Sequence, residues 1–260
     1  MTVHESGDKG KPVIMLFPGT MCYWKGNFGG VIDELKKTFL VAAVAYTGFD
    51  DEDTESYASV EDELEKIEQY IIDNYGGRIC AAYGCSLGGT FVAHLTARHR
   101  VHIQYGIIGS ADMDQAGKLK ADILTGIMVK ATYSFIHTGR YSSRLMQKRF
   151  KKQMDDPDPY NRAFVAMTGR DKYDMSFITK ESLKNQFRSD LITPLPEHID
   201  NGETEIHVFY AKKMGEKYLE RYNKYFKNPV IHELDMQHEE LLGVHPEDWC
   251  ALVREICCQR

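Results

Sequence analysis

"YGCSLGGT", Tyr83 to Thr90, is the stretch on which the reading of this chain turns. The apolar run "RICAA" (78–82) leads into it, and "LGGTFVAHLTARH" (87–99), a helix-forming run, leads out. Gly84, Ser86 and Gly88 fit G-x-S-x-G, a pattern short enough to arise by chance. Its setting adds weight, because a serine between a buried strand and a helix can be held on a sharp, strained turn. Such a turn brings the residues two before and two after the serine together, where only small side chains fit. Gly84 and Gly88 meet that demand for Ser86; were Cys85 at the turn, Tyr83 and Leu87 would collide. Ser86 is therefore the candidate nucleophile.

Outward from this point, short apolar runs recur at 12–17, 39–46, 101–108, 205–211 and 229–234. They are continuous rather than alternating, as in strands buried on both faces, which predicts a mostly parallel, open sheet. Helical stretches lie between them. The clearest, residues 59–77, opens on a Ser59 to Asp62 capping pattern and closes on Gly76 and Gly77. Strand and helix in alternation imply an α/β fold with helices on both sheet faces. The alternation stops over 115–200, which has helical signals and no convincing strand. This predicts a core of 1–114 and 201–260 with a helical cap, 115–200, inserted in it. The insertion carries 15 Lys/Arg against 10 Asp/Glu, leaving 17 against 28 elsewhere out of 32 and 38. Its "KRFKK" run reads as a solvated helix face.

The net charge of −6 argues against nucleic acid or an anionic membrane as the main partner. "MTVHESGDKGKP" has no apolar leader, and no stretch is long enough to span a bilayer, so a cytoplasmic protein is expected. The six cysteines form no CxxC pair and read as reduced thiols rather than a metal site. A small-molecule substrate, no metal, and a monomer or homodimer are expected.

A serine nucleophile needs a base. His238, in "MQHEELLG", follows the last predicted strand and precedes the terminal helix, where loops at strand carboxyl ends converge. His94, His99, His207, His232 and His245 sit in or beside regular elements and read as structural. Oxyanion donors are expected from the backbone of Thr20 or Met21, after the bend at Pro18-Gly19, together with Leu87. Tyr23 and Trp24, just beyond, are candidate substrate contacts; Ile127, Met128, Tyr133 and Phe135 are candidate lining from the insertion.

With these residues in place the chain resembles the α/β-hydrolase family over nearly its whole length. "VIMLFPGT" is similar to that family's first core strand and oxyanion turn, "YGCSLGGT" to its nucleophile elbow, 115–200 to its cap and "MQHEELLG" to its histidine loop. The order, serine first and histidine last, agrees. The turn reads Phe-Pro-Gly where many members have His-Gly. Only 12 residues precede Val13, where that first core strand begins, leaving no room for two leading strands, so about six parallel strands are expected. The resemblance places a carboxylate after the strand that follows the cap. Glu216 is the nearest there, with Asp112 or Asp114 as the alternative acid from the preceding strand.

The family implies an acyl-enzyme and no cofactor. The expectation is a serine hydrolase acting on an ester or thioester of a small to medium, partly apolar acyl substrate. The same residues also suit carbon–carbon bond hydrolysis, aminopeptidase or acyltransferase chemistry. A non-catalytic small-molecule or protein-binding member of the same fold is the rival from another class.

Overall fold

The computed structural model describes residues 1–113 and 115–258. In chain order the first elements are β1 (Thr2–Ser6), β2 (Val13–Phe17), α1 (Trp24–Leu35), β3 (Leu40–Ala45), α2 (Val60–Tyr75), β4 (Arg78–Gly84), α3 (Leu87–Arg98) and β5 (His102–Ile108). Four helices follow: α4 (Lys118–Thr138), α5 (Arg144–Asp155), α6 (Pro159–Thr168) and α7 (Lys180–Ile192). The chain then returns to the sheet with β6 (Glu205–Ala211), α8 (Glu216–Tyr225), β7 (Val230–Leu234), the short α9 (Glu240–Val244) and α10 (Pro246–Cys258).

The seven strands lie in the order β1-β3-β2-β4-β5-β6-β7. Six run parallel, as the continuous apolar runs require, and β1 pairs antiparallel with β3. One leading strand therefore does fit before the first core run. Its sequence, TVHES, is polar and only partly buried because it forms the sheet edge, so no apolar run announces it.

Burial on both faces is visible along β2. Ile14 and Leu16 pack with Phe28 and Val31 of α1 and Trp249 and Val253 of α10, while Met15 and Phe17 pack with Leu64 and Ile67 of α2 and Phe91 of α3. α2 begins where the sequence indicates: Ser59 Oγ accepts from Asp62 N–H at 3.1 Å, and Gly76 ends the helix at φ 63°. At the far end of α3, Arg98 and Arg100 donate to the buried Glu68 carboxylate of α2.

Register fixes what meets at the top of the sheet. Phe17 of β2 pairs with Gly84 of β4, and Gly84 with Ile108 of β5, so three loops leave from one edge. α4 to α7 join β5 to β6, and α4 packs along α7. No helix among the described residues is long and apolar enough to cross a membrane.

Candidate active site

Ser86 lies between β4 and α3 with φ 50° and ψ −114°, a backbone conformation that side chains rarely adopt. The turn is held by Cys85 N–H to Phe17 O at 3.0 Å, Gly88 N–H to Cys85 O at 2.8 Å and Gly89 N–H to Ser86 O at 2.8 Å. A Cβ on Gly84 would overlap the Gly88 backbone, and one on Gly88 would overlap the Phe17 carbonyl. The glycine spacing thus has a steric cause in the contact between the turn, α3 and β2.

A second support comes from Glu239, which the sequence reading missed. This residue, itself at φ 55°, buries its carboxylate behind the elbow. Its Oε1 accepts from the backbone N–H of Ser86 at 2.9 Å and of Ser110 at 2.7 Å, and its Oε2 from the Tyr83 hydroxyl at 2.6 Å. Gly109 makes room for it, since a Cβ there would overlap that carboxylate. Burial and the neighbouring Glu239 charge push the Cys22 thiol up to about 12 and hold the Cys85 thiol well above its ordinary value. Both thiols stay protonated near neutral pH, which argues against either as nucleophile.

The turn after β2 is pinned from three directions. Gly19 N–H donates to Asn27 Oδ1 at 2.8 Å, the Tyr46 hydroxyl donates to Pro18 O at 3.2 Å, and Met21 N–H donates to Gln186 Oε1 of α7 at 2.8 Å. Met21 N–H is thereby occupied. Thr20 N–H and Leu87 N–H have no hydrogen-bond partner among the described residues. Of the three expected oxyanion donors, these two are available.

Ser86, His238, Thr20, Met21, Asp112 and Glu239 all line one cavity of about 370 Å³. Its remaining wall is mainly apolar, with Leu124, Met128, Phe164, Met167 and Phe187 contributed by the inserted helices. His238 follows β7, its carbonyl accepts from the Tyr160 hydroxyl at 3.0 Å, and its ring meets Phe164 edge-on. Neither the His238 imidazole nor Ser86 Oγ makes a hydrogen bond among the described residues.

Glu216 is not brought to this cavity. β6 ends in a single 3-10 turn, Lys212–Met214, and Gly215, at φ 100°, then starts α8. Glu216 consequently stands exposed in the first turn of that helix, where a carboxylate complements the helix dipole. Asp112, after β5, does line the cavity. Asp114 lies outside the described residues.

Tyr23 and Trp24 also sit elsewhere. Tyr23 is buried against Tyr173 and Phe177 with its hydroxyl on Asp51, and Trp24 stacks on His4, so both spend their aromatic area in packing. Of the four candidates from the insertion, Met128 alone lines the cavity. Ile127 faces solvent, Tyr133 lines a groove between α4 and α7, and Phe135 packs on Tyr141 and Phe150. Asn27 and Gln186, which hold the turn, carry no local sequence signal, because each acts through a contact made only on folding.

No protein-family model matches the sequence, and neither does any curated protein. Solved structures do. The chain is similar to an alpha/beta hydrolase family protein from Desulfitobacterium hafniense, with a TM-score of 0.78 at 19% identity, covering 98% of this chain and 99% of that one. It is similar to the enol-lactonase from Burkholderia xenovorans LB400, with a TM-score of 0.69 at 14% identity over 99% of this chain and 96% of that one. It is also similar to 1H-3-hydroxy-4-oxoquinoline 2,4-dioxygenase, with a TM-score of 0.65 at 16% identity over 98% and 95%. Their differing activities at such identities leave the fold as the common property. The chain has the α/β-hydrolase fold.

Proposed function

We propose that the protein is a serine hydrolase that cleaves an ester or thioester of a partly apolar acyl substrate. Ser86 Oγ attacks the carbonyl carbon while His238 takes the hydroxyl proton. Thr20 and Leu87 N–H groups receive the developing oxyanion. Collapse expels the alcohol or thiol, which leaves with the proton from His238, and water repeats the sequence on the acyl-enzyme. Asp112, at the carboxyl end of β5 and on the wall of the same cavity, is the carboxylate we assign to His238. The inserted helices act as a cap that sets the acyl pocket.

One observation carries this reading: Ser86 is held in a strained conformation, φ 50°, beside two backbone donors that have no partner among the described residues. A serine gains no packing from that conformation, and strain of this kind collects at working sites. The second reading is a non-catalytic binding protein. It is favoured by the His238 imidazole, which has no carboxylate bonded to it among the described residues.

Labelling with a fluorophosphonate followed by peptide mapping separates the two. The hydrolase reading expects one adduct, on Ser86, lost in Ser86→Ala. It also expects turnover of p-nitrophenyl esters to fall roughly 10⁴-fold in either Ser86→Ala or His238→Ala, with little further loss in the double variant. A folded protein that takes no label and turns over no ester would leave the binding reading.

A further inference from the structure

Eight large apolar side chains stand most exposed among the described residues, and six of them belong to the inserted helices. Three form a stripe on α4 at i, i+4 and i+8: Leu119, Ile123 and Ile127, at 77%, 57% and 60% exposure. The spacing puts them on one side of the helix. Next to Ile127, Met128 is 41% exposed and also lines the Ser86 cavity, as does Phe164 at 37%. The cavity therefore reaches the surface beside the stripe. An apolar face of this kind on a polar surface marks a docking site.

The surroundings of the stripe are cationic. A groove of about 890 Å³ between α4 and α7 is lined by Lys130, Lys180, Lys184 and Arg188. Arg188 is paired with Asp122 at 2.6 Å, whereas none of the three lysines forms an ion pair among the described residues. Gly126 and Lys130 line this groove and alternate along α4 with Ile123 and Ile127, so groove and stripe adjoin. The neighbouring α5 buries none of its residues and carries Arg144, Lys148, Arg149, Lys151 and Lys152. The overall charge of −6 conceals this arrangement, a basic insertion on an acidic body.

These features choose among occupants. A second copy docking through the same face would bring lysine against lysine. Nucleic acid would meet the cations but leave the aliphatic stripe in water. An anionic phospholipid surface satisfies both, taking aliphatic side chains between acyl chains and ammonium groups at the phosphates. We propose that the inserted helices dock the protein on an anionic phospholipid surface, with Leu119, Ile123 and Ile127 entering the acyl layer and Lys130, Lys180 and Lys184 facing headgroup phosphates. The acidic body then points away, and the cavity opens at the lipid boundary. The docking surface is independent of the hydrolase reading, since it uses none of the residues assigned to catalysis.

Vesicle flotation of the full chain tests it, with Ser86→Ala as the background so that no lipid is consumed. Binding is expected to vesicles of phosphatidylcholine with phosphatidylglycerol, to weaken as salt rises, and to be much weaker for phosphatidylcholine alone. Lys130→Glu, Lys180→Glu and Lys184→Glu should each lower it at least about fivefold. Ile123→Ser with Ile127→Ser should lower it at least about tenfold. All five positions are solvent-facing, so circular dichroism should stay that of the parent. The proposal is overturned by absence of binding to the anionic vesicles, or by binding that both sets of substitutions leave unchanged. Inorganic phosphate held in the lysine groove without vesicle binding would overturn it in favour of a soluble phosphorylated ligand. A solution dimer that Ile123→Ser with Ile127→Ser dissolves, again without vesicle binding, would assign the stripe to a second copy.

Discussion

Removing the Glu239 carboxylate would leave two backbone donors without an acceptor, Ser110 N–H buried and Ser86 N–H partly buried. At about 1–3 kcal/mol for each unsatisfied group, Glu239→Leu should cost roughly 4 kcal/mol. At about 2–4 °C per kcal/mol that lowers Tm by roughly 10 °C. Glu239→Gln should be milder, because the amide oxygen can accept both N–H bonds while its NH₂ group donates to Tyr83 Oη. Thermal unfolding by circular dichroism ranks the variants; a leucine variant as stable as the parent would show that the carboxylate does not hold the elbow. Gly84, Ser86 and Gly88 could be read from sequence because their constraint is steric and local. Glu239 could not, because its partners lie 129 and 153 residues away, and "HEEL" resembles any solvated helix start.

Between β6 and α8 the same contrast appears one level up. All six parallel strands were legible: the five inner ones are largely buried and so continuously apolar, and β7, the far edge, still opens on the apolar pair Val230-Ile231. β1 was not, being a polar edge. The geometry of the turn after β6 was also hidden: Lys212–Met214 closes as a 3-10 turn and Gly215 redirects the chain, leaving Glu216 in solvent. Glu216→Gln should therefore leave kcat within about twofold of the parent. Asp112→Asn should lower it on the order of 10³- to 10⁴-fold if that carboxylate orients the His238 imidazole, the scale at which loss of a triad acid is felt. Steady-state kinetics on one p-nitrophenyl ester compares the two. A large loss on Glu216→Gln with none on Asp112→Asn would require the loop after β6 to rearrange around substrate.

For the molecule as a whole, stability against acid rests partly on a histidine outside the cavity. His94 of α3 is buried, and its Nε2 has no hydrogen-bond partner among the described residues. Burial, with a smaller contribution from the Arg98 charge, lowers it from 6.5 to about 4, against an opposing pull from Glu61. The sign follows from where the proton binds. Between pH 6.5 and about 4 the unfolded chain takes up a proton here that the folded chain refuses, so stability falls as pH falls through that window. Below about 4 both states are charged and this contribution levels off, having removed about 3 kcal/mol in total. Above 6.5 it is silent. His207 and His232, whose stacked rings are 2.9 Å apart between Nδ1 and Nε2, are also lowered, mainly by burial, and add to the same slope. His94→Leu keeps an apolar contact in α3 and removes one titrating group. Unfolding free energies from urea titrations between pH 8 and 4 should accordingly decline less steeply in that variant, by up to about 1.4 kcal/mol per pH unit within the window. An unchanged slope would place the acid sensitivity in the paired histidines of β6 and β7 instead, away from the helix that carries the serine turn.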